Sequence, residues 1–194
     1  MSAILENTAE RSGVYGLLAQ LWIAEPDAQL IKAMRADDIT AALPDWFGLP
    51  EPDELENLQS DFTQLFIGPK DQLPPYQSVW QFGQFEAAPT GAMRTYFDVI
   101  GYEPDQTQAE GVMPDHMALQ FDVMSYLLKQ VDGTVADQPE MSDLLTSFFD
   151  DALSWCLPLL TAVTSRATTK FYASVARLTG EFLADEAARF GHTA

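Results

Sequence analysis

Pro114-Asp115-His116-Met117-Ala118-Leu119-Gln120-Phe121-Asp122-Val123-Met124-Ser125-Tyr126-Leu127-Leu128 is the stretch on which the fold turns. Met117, Phe121, Met124 and Leu128 recur at helical spacing, and Leu119, Val123 and Leu127 fill the adjoining face. A helix apolar over so much of its circumference belongs at the centre of a bundle. Pro114 or Asp115 can open or cap it, a proline by its fixed φ and an aspartate by accepting from free backbone N–H groups.

The periodicity stays helical on both sides of this stretch. Upstream, Val14, Leu17, Leu18, Leu21 and Trp22 form one broad apolar stripe, and Pro26 ends that helix and opens another. A short helix is expected near Asp38–Leu43, and a fourth on Leu55, Leu58, Phe62, Leu65 and Phe66, ended by Gly68-Pro69. Residues 69–89 read as a long structured loop in which Tyr76–Phe82 is a β-like run with nothing to pair with. Helical signals return over Thr90–Ile100 and stop at Gly101. Downstream, Leu144, Leu145, Phe148, Phe149 and Ala152 make a stripe that runs to Trp155 and kinks or breaks before Pro158. Phe171, Val175, Leu178 and Phe182 define the last helix. No repeat or linker divides the chain, so the expectation is a single all-α domain over residues 1–194 with no significant sheet.

Composition sets the functional limits. The 194 residues carry 29 acids against 10 bases, a formal charge of −19, with 47 % apolar residues and one cysteine. No two basic residues are adjacent, and none lies between Arg35 and Lys70. Nucleic-acid binding, which needs clustered Lys and Arg on phosphates, is thereby disfavoured, as is an anionic membrane surface. The acids are spread along the whole chain, so they make a field over the surface that either simply keeps the protein soluble or also steers a cationic partner. No secretory signal opens the sequence and no apolar run reaches the ~20 residues of a membrane span. With Cys156 alone there is no intrachain disulfide, which fits a cytoplasmic protein.

Catalytic motifs are missing. His116, His192 and Cys156 show no zinc spacing, although so many acids leave a carboxylate-only magnesium or calcium site open. There is no Gly-x-Ser-x-Gly elbow and no Gly-rich phosphate cradle. Cys156, between Trp155 and Leu157, reads as a packed thiol.

Two segments carry what functional signal there is. In the first, Leu73-Pro74-Pro75-Tyr76-Gln77-Ser78-Val79-Trp80, a proline-stiffened loop either presents its aromatics to a peptide or folds them back into the bundle. In the second, Pro114-Asp115-His116, the polar pair either caps the central helix or offers a carboxylate to a guanidinium and an imidazole to a peptide backbone.

Taken in order with Val14-Tyr15-Gly16-Leu17-Leu18-Ala19, Leu65-Phe66-Ile67-Gly68-Pro69, Trp155-Cys156-Leu157-Pro158 and Phe171-Tyr172, these segments resemble the TorD/DmsD family of redox-enzyme maturation chaperones over most of the chain. The resemblance implies a TorD-like helical bundle without enzymatic activity and without a cofactor of its own, acting in the cytoplasm. It implies binding of the twin-arginine leader of an apo-molybdoenzyme of the dimethyl sulfoxide or trimethylamine N-oxide reductase type. The client is then held for molybdopterin cofactor insertion before Tat export, with Tat or cofactor-biosynthesis components as further partners. Weak guanine-nucleotide binding, and a monomer or a domain-swapped dimer, are family traits that the resemblance carries with it.

Carried over by position, the leader-binding residues would be Leu73, Tyr76, Ser78, Val79, Trp80, Asp115 and His116. Three positions depart from the family pattern: Tyr76 where Trp is common, and Met113 and Gln120 where Glu is expected. Two other classes remain open on sequence alone, a small acidic metal-dependent hydrolase and a structural subunit of an oxidoreductase. A bound ion held by carboxylates would mark the first, and retention in the mature enzyme the second.

Overall fold

The computed structural model describes residues 4, 6–36, 55–105, 110–131 and 138–192. The helix expected near Asp38–Leu43 lies outside them. Among the described residues the chain forms nine α-helices: α1 (Thr8–Ile23), α2 (Ala28–Ala36), α3 (Leu55–Phe62), α4 (Gln77–Phe82), α5 (Ala88–Ile100), α6 (Met117–Gln130), α7 (Gln138–Ala152), α8 (Cys156–Arg166) and α9 (Lys170–Arg189). No strand forms there, and the all-α expectation holds.

Helix α6 is the axis of the bundle, with Met117, Phe121, Val123, Met124 and Leu128 fully buried. Its most extensive partner is α1. Small residues set that contact: Ser125 Oγ donates to Ser12 O at 2.9 Å, Ser12 Oγ donates to Ser125 O at 3.1 Å, and a Cβ on Gly16 would meet Ser125 Oγ at 3.4 Å. Each polar side chain buried in this seam therefore has a partner, which keeps its burial from costing stability.

Helices α8 and α9 pack on each other, joined by a short turn at residues 167–169. Asp61 on α3 anchors that turn, accepting from Thr169 N at 2.8 Å and Thr168 N at 3.1 Å, where a carboxylate also complements the N-terminal end of α9. A buried ion pair joins α1 to α9: Arg11 Nε and Nη2 each donate to Glu186 at 2.7 Å, and Tyr15 Oη donates to the same carboxylate at 3.1 Å.

Local signals mostly act where the sequence puts them. Asp27, one residue beyond Pro26, takes the start of α2, accepting from Leu30 N at 2.7 Å. The α3 helix ends in a single π turn over Thr63–Ile67, closed by Gly68 N donating to Thr63 O at 2.7 Å. A Cβ at Gly68 would come within 3.3 Å of that carbonyl, which accounts for the glycine. The chain breaks at residues 153–155 and Pro158 sits in the first turn of α8, where a missing N–H costs nothing.

Two expectations are corrected. The β-like run Tyr76–Phe82 is helix α4 after one extended residue, Tyr76, which bridges to His116. β-Propensity loses there because the helix is capped at its start from elsewhere, Asp115 Oδ2 accepting from Ser78 N at 2.9 Å, and at its end by its own glycine, Gly83, which at φ +72° turns its N–H to Val79 O. The loop expected over residues 69–89 is thus split by a helix. At α6, the N-cap is neither Pro114 nor Asp115 but His116, whose Nδ1 accepts from Ala118 N at 3.1 Å.

Candidate functional site

The two segments singled out in the sequence meet in space. Gln77 N donates to Asp115 O at 3.1 Å and Met117 N to Pro75 O at 2.8 Å, so residues 75–77 and 115–117 lie side by side as a single antiparallel bridge. The edge of the Tyr76 ring meets His116, with centroids 4.8 Å apart and planes at 85°. Trp80 Nε1 donates to Pro74 O at 2.8 Å, which folds α4 back over the Pro74-Pro75 segment.

Beneath this surface the polar groups of Asp115 and His116 are consumed. Asp115 is fully buried; one carboxylate oxygen accepts from Ser78 N and the other from Thr90 Oγ1, each at 2.9 Å. It therefore ties α4, α5 and the start of α6 together and presents nothing to an incoming guanidinium in this conformation. The His116 imidazole is buried as well, and burial pushes its pKa down to about 3 against the raising influence of Asp115. It stays neutral, with Nδ1 spent on its own helix. Ser78 and Leu73 are likewise buried, and the Ser78 hydroxyl has no partner.

A second polar chain runs below. Gln77 Nε2 donates to Asp151 O at 2.6 Å, Gln120 Nε2 to Gln77 Oε1 at 2.6 Å, and Trp155 Nε1 to Gln120 Oε1 at 2.9 Å. Gln120, which stands where the family resemblance expects Glu, is the middle link. An amide serves here because it must donate to one neighbour and accept from another, which an ionised carboxylate cannot do.

The exposed part of the site is aromatic. Tyr76, Val79 and Trp80 are half-buried, while Phe82 and Phe85 are 56 % and 48 % exposed. Tyr76 also packs edge-on against Phe85, with centroids 5.4 Å apart. The seven residues named from the sequence thus divide: Tyr76, Val79 and Trp80 reach the surface, and Leu73, Ser78, Asp115 and His116 form the frame beneath. Phe82 and Phe85 were not among them. The signal was present in Gln81-Phe82-Gly83-Gln84-Phe85, two aromatics flanking a turn glycine among polar residues.

Among the described residues no three His, Cys, Asp or Glu side chains cluster as a metal site would need. Cys156 is buried and its thiol is pushed far up by desolvation. No helix of the described residues is long and apolar enough to cross a membrane.

Among the described residues, then, the molecule is an all-α bundle that carries an aromatic surface on a buried polar frame. Comparison with known proteins makes the class specific. The model of the nitrate reductase delta subunit family matches residues 27–161, and the chain belongs to this family, that of the TorD-like redox-enzyme maturation chaperones. It is similar to chaperone protein YcdY of Escherichia coli (strain K12), 29 % identical over 164 residues that cover 84 % of this chain and 73 % of that protein. Its fold matches the crystal structure of a protein from Archaeoglobus fulgidus assigned to redox enzyme maturation, with a TM-score of 0.60 and 22 % identity over 90 % of this chain and 93 % of the other. Members of the family are chaperones and not enzymes, which sets the hydrolase alternative aside.

Proposed function

We propose that this protein binds the twin-arginine leader of an apo-molybdoenzyme in the cytoplasm and holds the client for cofactor insertion before export. The observation that carries the reading is the set of aromatic side chains Tyr76, Trp80, Phe82 and Phe85, kept at or near solvent on and just beside a short helix whose N-terminal end is locked by a buried carboxylate. Rigid aromatics offer contact area at low entropic cost, which suits them to an apolar peptide segment.

The arginines of such a leader have another source of attraction. With Asp115 enclosed, the guanidinium groups answer to the −19 field of the whole surface rather than to one carboxylate of the frame. Association is then fast at low salt and slows as the Debye length falls below ~10 Å.

Titration calorimetry with a synthetic twin-arginine leader tests this. Binding that weakens about tenfold in Phe82→Ser/Phe85→Ser, with an unchanged melting temperature, supports it. Failure to bind any leader encoded beside its gene overturns it. The family's own description speaks of a subunit, so a second reading stands next to the first: the chain stays with the finished enzyme. Purified mature oxidoreductase holding the chain in fixed stoichiometry would favour that reading.

A further inference from the structure

Of the aromatic side chains at the site, Trp80 packs against the hydrophobic core, whereas Tyr76, Phe82 and Phe85 lie outside it. Phe85 rides on residues 83–87, the bridge that joins α4 to α5. Both ends of this bridge are fixed by one buried group. Asp115 accepts from Ser78 N at the start of α4 and from Thr90 Oγ1 at the start of α5, each at 2.9 Å. The middle of the bridge is untied. Among the described residues no hydrogen bond holds Gln84, Phe85 or Glu86 to α4, α5 or the bundle, and all three are exposed.

Two left-handed residues bracket Phe85. Gly83 takes φ +72° freely, but Glu86 at φ +55° carries a Cβ and adopts that region at a cost. Strain of this kind clusters where a side chain must be aimed. The contact it secures here is that of Phe85, whose ring meets Tyr76 edge-on with centroids 5.4 Å apart and planes at 74°. Tyr76 therefore has two ring neighbours, His116 at 4.8 Å and Phe85 at 5.4 Å. The first is fixed, because His116 is buried and its Nδ1 caps α6. The second is half in solvent on the untied segment.

Resting on the leader-binding reading, we propose that the place beside Tyr76 now held by Phe85 is a slot for one aromatic side chain of the bound peptide. Phe85 fills the slot in the free protein, lifts on Gly83 and Glu86, and closes over the incoming ring. The closed position slows association, since a peptide enters only those molecules whose ring is lifted. An aromatic guest is selected because ring pairs at centroid separations of about 4.5–7 Å gain more than the area they bury. A second copy of this chain is a poor guest, because it brings a charge of −19 to a surface of the same sign.

The test puts 4-fluorophenylalanine in place of Phe85 in the full chain and follows its fluorine resonance. The probes are N-acetylphenylalaninamide, which presents the ring by itself, and a synthetic twin-arginine leader containing one phenylalanine. The ring by itself at millimolar concentration should shift the resonance saturably, and N-acetylserinamide should leave it in place. The leader should shift it too, and bind about tenfold more tightly than the same leader with serine for its phenylalanine. Glu86→Pro cannot take φ +55° and gives up no bonded N–H, so it keeps the segment from closing. Leader association in stopped flow should then speed about threefold or more. Phe85→Ser, which empties the slot, should speed association similarly and dissociation more, whereas a fixed contact would change dissociation alone. A leader that binds without moving the resonance overturns the slot and leaves the leader reading standing. A resonance that answers the ring by itself while no leader binds keeps the slot and removes the leader. Association unchanged in both folded variants overturns the proposal. So does a resonance that moves with protein concentration in the absence of probe, which gives the slot to a second copy.

Discussion

The two buried polar clusters of this molecule do opposite work. Arg11, Glu186 and Tyr15 form a charged knot between α1 and α9, far apart in sequence and with no exposed surface to serve. Asp115, His116, Gln77 and Gln120 form a frame under an exposed aromatic surface. The first holds the bundle closed; the second fixes where a short helix points. A buried carboxylate in this fold is therefore no mark of a binding site in itself. What separates the two is what lies above them.

Breaking the knot should have the largest effect. Glu186→Ala leaves the Arg11 guanidinium buried without its partner, at a cost of about 3–5 kcal/mol, and urea denaturation should show a midpoint shifted accordingly. An Arg11→Met/Glu186→Leu pair should recover most of that loss, since matched apolar replacement removes the desolvation penalty. If the double variant is no better than the single, the knot owes its contribution to something other than paired charge.

Breaking the frame comes next. Asp115→Ala removes the carboxylate from Ser78 N and Thr90 Oγ1 and should cost roughly 2–3 kcal/mol. Unlike the knot variant, it should also speed amide exchange in α4 and lower affinity for a leader peptide. A stability loss with unchanged affinity would mean that α4 needs no locking.

His116 gives a pH test of the same frame. Its folded pKa of about 3 lies below the unfolded 6.5, so the unfolded state takes up a proton that the folded state refuses. The neutral imidazole contributes stability in full above pH 6.5, and that contribution falls away as pH drops towards 3. His116→Asn, which can still accept from Ala118 N, should flatten this part of the stability curve. Leader affinity across pH 6–8 should carry no histidine step from this site.

The smallest effect on stability belongs to the surface. Phe82→Ser should change unfolding free energy by no more than about 0.5 kcal/mol while weakening leader binding. A large stability loss would mean that the aromatic is structural, and the contrast between frame and surface would fail.

How far the molecule was legible in its sequence follows from how local each signal is. The run from Met117 to Leu128 announced the central helix because periodicity is written within the helix itself. The break before Pro158 and the stop at Gly68-Pro69 could be read for the same reason. Helix α4 could not, because the group that caps its start comes from Asp115, 37 residues later. The Arg11–Glu186 pair spans 175 residues, and among 29 acids nothing distinguishes the one that is buried. The motif residues meet in space, but Tyr76, Val79 and Trp80 reach the surface while Leu73, Ser78, Asp115 and His116 are buried. A short polar motif records that its side chains are needed, but not whether they face a ligand or a neighbouring helix.

That span has a consequence for how the protein is made. Helices α1 and α9 share one buried carboxylate, so the α1 guanidinium lacks its partner until α9 has emerged from the ribosome. At ~5–20 residues per second, the chain spends on the order of ten seconds or more with α1 waiting for α9. Fragments that stop short of Glu186 lack this closure, and the Arg11 guanidinium in them keeps no carboxylate from α9.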